Sequence, residues 1–311
     1  MRKKVSILGA GKVGSTSAQI LAYREICDIV LWNRTAETAK GIALDIEESA
    51  PIEGFDVSIT GTGDFSEIEG SDIVAITAGI PRKEGMSRDD LLLVNAGIVR
   101  AACQGIRKYA PDSKVIIVSN PLDAMCHVAL KATMFPPRRV MGMAGILDSS
   151  RFRAFLAMEL KVSVKDVSAL VLGGHGDFMV PLPRYSSVEG IPVTEFLDKK
   201  RIAGIIERTR DAGAEILKLE KGSSAFYAPA SSLVQMMEAI LKDKRMVLPC
   251  ASYLKGEYGI KGIFMGVPVV LGSRGIERVV ELELTKEEAR EVGQSSRKIR
   301  ELVCRIEPEV C

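Results

Sequence analysis

Through the first half of the chain, short runs of aliphatic and β-branched residues alternate with longer stretches in which apolar positions recur every three or four residues. The short runs Val5 to Leu8, Asp28 to Trp32, Asp56 to Thr60, Ile73 to Thr77, Lys114 to Ser119 and Val140 to Met143 predict strands. The stretches Lys12 to Tyr23, Glu37 to Glu48, Arg88 to Tyr109 and Leu122 to Ala132 predict helices. Such alternation implies parallel strands joined by crossover helices, an α/β doubly wound sheet. After Gly145 the pattern changes. A helix is expected at Ser149 to Leu160, a strand at Val167 to Leu172, and helices at Lys200 to Leu219 and Ala230 to Lys242. Strands at Arg245 to Tyr253 and Val267 to Leu271 follow, then a charged helix from Lys286 to Cys304. This half reads as α+β. The division expected is therefore residues 1–143 and 144–311, with a ligand cleft at the junction.

Composition narrows the function classes. With 311 residues, 42 Lys plus Arg against 40 Asp plus Glu, and 47% hydrophobic residues, the chain is neither disordered nor fibrous. A net charge of +2 offers no basic footprint, so no nucleic-acid partner is expected. No apolar run reaches the roughly 18 residues of a membrane helix, so no membrane partner is expected. Arg2, Lys3 and Lys4 before a short apolar run imitate a signal peptide, but Gly9, Gly11 and Lys12 interrupt it. The expectation is a soluble cytoplasmic protein. The six cysteines form no CxxC or Cys/His cluster, so no metal site is expected and buried reduced thiols are. Cys304 and Cys311 near the C-terminus are the exception: intracellular disulfides do occur in hyperthermophiles, and whether these two pair is left open by the sequence.

Gly9, Ala10, Gly11, Lys12, Val13 and Gly14 follow the first strand directly and open a helix, the context in which GxGxxG reads as a dinucleotide fingerprint. Glycines permit the turn and the approach of a pyrophosphate, and the helix N-terminus supplies N–H groups and positive dipole. An acidic residue normally closes the second strand and bonds the adenosine ribose. Asn33 stands there instead, 19 residues after Gly14, followed by Arg34. Loss of the carboxylate removes repulsion of a 2′-phosphate, and the guanidinium can pair with it. NADP is the favoured coenzyme and NAD the alternative.

Only two histidines exist. His127 falls inside a predicted helix and reads as a packed or solvent-facing residue. His175 lies among glycines just past a predicted strand, where its ring stays accessible, and is the candidate general base. Such a base wants a buried carboxylate partner. Asp148 is available, and Arg151, three residues on, would project to the same side of the helix.

GAGKVG (9–14), TAGIPRKEGMSRDD (77–90), VSNPLDAM (118–125), GILDSSRF (145–152) and GGHGDFMVP (173–181) occur in this order. Together they resemble the lactate/malate dehydrogenase family, in particular its tetrameric, lactate-dehydrogenase-like malate dehydrogenases, from Val5 to about Leu302. The resemblance implies a Rossmann domain followed by a catalytic domain, and reversible hydride transfer between a 2-hydroxy acid and its oxo acid. It implies that His175 and Asp148 form the proton relay and that Arg151 grips the substrate carboxylate. Residues 79–88 would form a mobile lid, with Arg88 polarising the carbonyl. Arg82 falls at the specificity position, where lactate enzymes carry Gln and malate enzymes Arg. A dicarboxylate would pair with it, whereas pyruvate would leave that cation unpaired. Asn120 matches a substrate contact, and Asn95 with the backbone of Val118, Ser119 and Asn120 matches coenzyme contacts. Two departures stand out. Ala225 occupies a position usually Thr in lactate enzymes, and Arg153 keeps half of an allosteric anion site whose histidine is replaced by Ser168. A homo-oligomer, a tetramer, follows from the same resemblance, as does a cationic cleft concealed by the near-neutral total charge.

Overall fold

The structure, a computed structural model, describes residues 2–80, 88–221 and 223–307. Arg82, the rest of the expected lid from 81 to 87, and Cys311 lie outside the described residues, and Arg88 is described for its backbone alone.

The first half contains β1 (Lys4–Leu8), α1 (Lys12–Tyr23), β2 (Asp28–Trp32), α2 (Ala36–Glu53), β3 (Ile59–Thr62), β4 (Ile73–Ile76), α3 (Arg88–Tyr109), β5 (Lys114–Ile117), α4 (Leu122–Thr133) and β6 (Val140–Gly142). All six strands run parallel in the order β3-β2-β1-β4-β5-β6. Strand order reverses between β1 and β4, and the crevice beyond their C-terminal ends is where doubly wound sheets bind ligands. Central strands are buried on both faces, which explains their unbroken aliphatic runs in place of alternation.

The second half contains α5 (Gly145–Leu160), β7 (Val167–Ser168), β8 (Val171–Gly173), β9 (Met179–Pro181), β10 (Ser187–Val188), β11 (Ile191–Pro192), α6 (Val193–Phe196), α7 (Lys199–Leu219), α8 (Tyr227–Leu241), β12 (Met246–Lys255), β13 (Lys261–Gly272), β14 (Gly275–Val279) and α9 (Lys286–Ile306). The main sheet continues into it, as β12 joins β6 antiparallel at Ala251 and Gly142 and is followed by β13, β8 and β9. One buried cluster runs from Val5 through Ile117 to Met265 and Val303, so both halves share a core. A smaller cluster around Phe152, Val167, Val193 and Ile205 lies under α5 and α7.

Several expectations needed correction: the strand expected from Val267 begins at Lys261, and the helices expected from Ser149 and Ala230 begin at Gly145 and Tyr227. The third strand begins at Ile59 instead of Asp56, because residues 55–57 lead in from the left-handed Gly54 cap with Phe55 and Val57 already buried outside the ladder. The helix before it runs on to Glu53, through Pro51. The run Val167 to Leu172 serves two sheets: β7 pairs with β10 in a small separate sheet, while β8 joins the main one. Strands β9, β10 and β11 are too short to show a period, and β14 (Gly275–Val279) has no counterpart among the expected strands. No helix among the described residues is long and apolar enough to cross a membrane.

Candidate active site

The fingerprint turn leaves β1 with Gly9 at φ +122°, a conformation closed to most side chains. A Cβ on Gly14 would lie 1.9 Å from the Gly9 carbonyl oxygen, so helix and turn meet only through glycine. At the end of β4, the Thr77 hydroxyl donates to that same carbonyl at 2.9 Å and pins the turn. Gly11 caps α1 without a side-chain bond, and a Cβ there would meet nothing within 4 Å. The start of α1 thus has open space beside Gly11 and no side-chain cap, as the approach of a pyrophosphate to the helix N-terminus requires. These residues fit a dinucleotide.

Lys12 and Val13 stand on the first turn of α1, and Lys12 Nζ donates across the cleft to Ser223 Oγ at 2.6 Å. Asn33, at the end of β2, accepts from the Ala10 N–H at 3.5 Å and donates to the Thr35 carbonyl at 3.2 Å, tying the turn to its own loop. Arg34 beside it is exposed and makes no ion pair among the described residues. Asn95 is buried on α3. Its amide takes the Ile80 N–H at 2.9 Å and donates to the Asn120 carbonyl at 2.8 Å, which joins the edge of the lid segment to the loop after β5. Both ends of that side chain are thus engaged, so Asn95 acts on the crevice through the loops it braces. Val118 and Ser119 line the same loop, with the Ser119 hydroxyl donating to the Ala78 carbonyl. Asn120 is exposed at its tip, before a cis Asn120–Pro121 bond.

The candidate proton-transfer group is assembled from α5 and the loop after β8. His175 Nδ1 donates to Asp148 Oδ2 at 3.0 Å, and Asp148 is 1% exposed. Burial disfavours the imidazolium, but the Asp148 charge and hydrogen bond outweigh it, so the His175 pKa rises above its usual 6.5. With Nδ1 bound, Nε2 is the nitrogen free for substrate. Arg151, one turn along α5, places Nη1 3.6 Å from Asp148 Oδ1. Its Nε is buried and has no hydrogen-bond partner, and burial depresses the guanidinium against the pull of Asp148. A buried, incompletely paired cation costs stability unless an anion completes it. A carboxylate ligand would. Helix α7 passes over this point at Gly213, where a Cβ would sit 3.9 Å from Arg151 Nη2.

His175, Asp148 and Arg151 therefore converge, and Arg82 and the Arg88 side chain lie outside the described residues. The loop holding Ala225 is half-buried beyond α7. Arg153 spends its guanidinium on the Val167 and Val164 carbonyls, at 2.7 and 3.3 Å, which straps the loop before β7 to α5. Two residues that sequence reasoning did not single out belong here. Thr77 is one, and the other is Asp123, whose Oδ2 accepts the His175 backbone N–H at 3.0 Å. Both lie inside motifs read for other residues.

Residues 3–142 match the family described as lactate/malate dehydrogenase, NAD binding domain, and residues 146–308 match lactate/malate dehydrogenase, alpha/beta C-terminal domain. A malate dehydrogenase of Thermomicrobium roseum is 54% identical over 303 residues, spanning 97% of this chain and 98% of that protein. The solved apo structure of malate dehydrogenase from Picrophilus torridus has a TM-score of 0.97 at 44% identity, covering 99% of this chain and 98% of that one. The lactate dehydrogenase from Cryptosporidium parvum, complexed with lactic acid and β-nicotinamide adenine dinucleotide, has a TM-score of 0.94 at 40% identity, covering 97% of each chain.

Proposed function

The chain belongs to the lactate/malate dehydrogenase family, and on that premise we propose that it is a malate dehydrogenase whose proton relay is His175 with Asp148. The observation that carries the site assignment is the buried Arg151 guanidinium, with an unpartnered Nε, beside the hydrogen-bonded His175 and Asp148. Arg151 binds the carboxylate next to the reacting carbon with a bidentate fork. His175 Nε2 gives its proton to the carbonyl oxygen in reduction and takes the hydroxyl proton in oxidation. Asp148 holds the tautomer and stabilises the imidazolium. A nicotinamide coenzyme bound along the α1 N-terminus supplies or accepts the hydride. By the family motif, Arg82 pairs with the distal carboxylate, Arg88 polarises the carbonyl and Asn120 bonds the substrate.

NADP is the coenzyme this reading favours, on the absence of a carboxylate at Asn33 and the exposed Arg34, which makes no ion pair among the described residues. NAD is the second reading, supported by the relative that binds it. A tetrameric assembly, a cytoplasmic location and a place in the tricarboxylic acid cycle complete the proposal. A lactate or broader 2-hydroxyacid specificity is the competing assignment, favoured by the likeness to a lactate dehydrogenase and by the small Ala225.

Steady-state kinetics on two oxo acids and both reduced coenzymes test all of this at once. Oxaloacetate should exceed pyruvate in kcat/KM by about a hundredfold or more, and NADPH should exceed NADH. Arg34→Gln should lower kcat/KM for NADPH by about fivefold to tenfold, the worth of one charge-assisted bond at an exposed site, and leave NADH unchanged. Faster turnover of pyruvate would overturn the substrate assignment, and a strong preference for NADH would overturn the coenzyme assignment.

A further inference from the structure

The loop that carries His175 is held at three points by three different helices. Gly174 N–H donates to Ser295 Oγ of α9 at 2.8 Å, His175 N–H donates to Asp123 Oδ2 of α4 at 3.0 Å, and the His175 ring donates to Asp148 of α5. Of these partners, Asp123 alone comes from the nucleotide-binding half. It sits in the first turn of α4, three residues after Asn120, where the helix dipole favours an anion. Its carboxylate is 5% exposed, and Oδ1 is buried with no hydrogen-bond partner. The fit is tight, since a Cβ on Gly174 would come within 3.2 Å of Asp123 Oδ2 and 3.1 Å of the Ile299 side chain. A buried carboxylate with a vacant oxygen is expensive, and replacement by an amide or an apolar residue would relieve the cost.

We propose that Asp123 is a positioning residue for the general base: it fixes the His175 backbone from the coenzyme side of the cleft and brings a second negative charge to the imidazole. The proposal rests on His175 being the base of the reaction proposed above. Among the described residues, the titratable or charged groups facing this pair are Asp148 and Arg151 on α5 and Cys126 on the helix of Asp123 itself. Burial holds the Cys126 thiol well above its usual pKa, so it adds no charge, and α9 meets the loop at Gly174 with Ser295 and Ile299. Burial also pushes Asp123 up to about 7, against the His175 hydrogen bond and charge. The Asp123 carboxylate and the His175 imidazolium therefore each favour the other's charged form.

Asp123→Asn separates the two roles, because the amide oxygen still accepts the His175 N–H but carries no charge. With two histidines in the chain, imidazole resonances can be assigned with His127→Asn and followed against pH without any turnover. In Asp123→Asn the His175 midpoint should fall by about half to one pH unit. The acid limb of kcat/KM for malate oxidation should move down by the same amount, with coenzyme Kd unchanged. Asp123→Ala, which loses both roles, should lower kcat by about tenfold to a hundredfold. An unshifted His175 midpoint in Asp123→Asn would overturn the proposal. If Asp123→Asn does not fold, Asp123→Ser, smaller and still an acceptor, is read in the same way. Failure of the wild type to oxidise malate would overturn the reaction assigned above, and the histidine titration would still report on Asp123.

Discussion

A base that both takes and returns a proton near neutrality must be held in one tautomer and kept from wandering in pKa. His175, the proposed base, has contacts suited to both needs 27 residues back, at Asp148, and 52 residues back, at Asp123. The first was legible in sequence, because an isolated histidine among glycines asks for a carboxylate and GILDSSRF offers one followed by an arginine. The second was not, because Asp123 looks like an ordinary acidic first-turn residue until the fold brings His175 against it. Oxidation needs neutral imidazole and reduction needs imidazolium. With the His175 pKa raised above 6.5, malate oxidation should fall as pH drops through that raised value, and oxaloacetate reduction should fall as pH rises through it. His175→Asn should cost about 10²- to 10⁴-fold in kcat and abolish both limbs, while equilibrium titration finds coenzyme affinity unchanged. Turnover near the wild-type rate would remove His175 from the mechanism.

Elements were legible where a period could develop. Helices α1 and α3 and strand β2 fall on their predicted bounds, whereas β7 to β11 are short pieces, some closed as hairpins, as β8 with β9 and β10 with β11, and some placed by a distant partner, as β8 against β13. Helix α9 shows how such long-range partners work. Its charged face announces a surface helix, but its end is fixed by contacts that periodicity cannot reveal. Arg305 pairs with Asp89 at the start of α3, Cys304 is disulfide-bonded, and Glu307 accepts from His127 on α4 at 3.2 Å and forms an ion pair with Lys131 at 3.4 Å. Among the described residues the other cysteines, Cys27, Cys103, Cys126 and Cys250, are free and buried. His127 is therefore a packed residue with a partner, and its Nδ1 has none. Burial lowers its pKa below 6.5, against the pull of Glu307. The unfolded chain then takes up this proton first, so stability is full above about pH 6.5 and is lost as pH falls toward the depressed value. Glu307→Ala strips the buried N–H of its acceptor and should cost about 1–3 kcal/mol, with a deeper loss below pH 6.5. Thermal melts from pH 5 to 8 check both. Equal loss at every pH would show that the His127 to Glu307 contact has no part in it.

At the scale of the whole molecule, a near-neutral charge and two-domain length describe the chain less well than its shared sheet. The proposed division after residue 143 falls between β6 and α5, yet β12 and β13 extend the sheet beyond it, and α8, α9 and both strands contribute to the core that contains β1, β4 and β5. This continuity keeps Asp123 on one half and His175 on the other within hydrogen-bond distance. A hinge between the halves would break that bond first. The sequence could show two patterns but not their fusion, because β6 meets β12 at a single registered pair, Ala251 with Gly142. If the core is one cooperative unit, Trp32, the sole tryptophan, and Cys250, fully buried in β12, must lose protection together. Denaturant titrations should give one midpoint for Trp32 fluorescence and for pulsed thiol labelling at Cys250, with the labelled peptide identified by mass. The satellite cluster around Phe152, Val193 and Ile205 shares no such core and can open earlier, as locally less protected amides in α6 and α7. Labelling of Cys250 at denaturant concentrations where Trp32 is still native would mean that the halves are separate folding units, and the Asp123 contact would then have to form by docking.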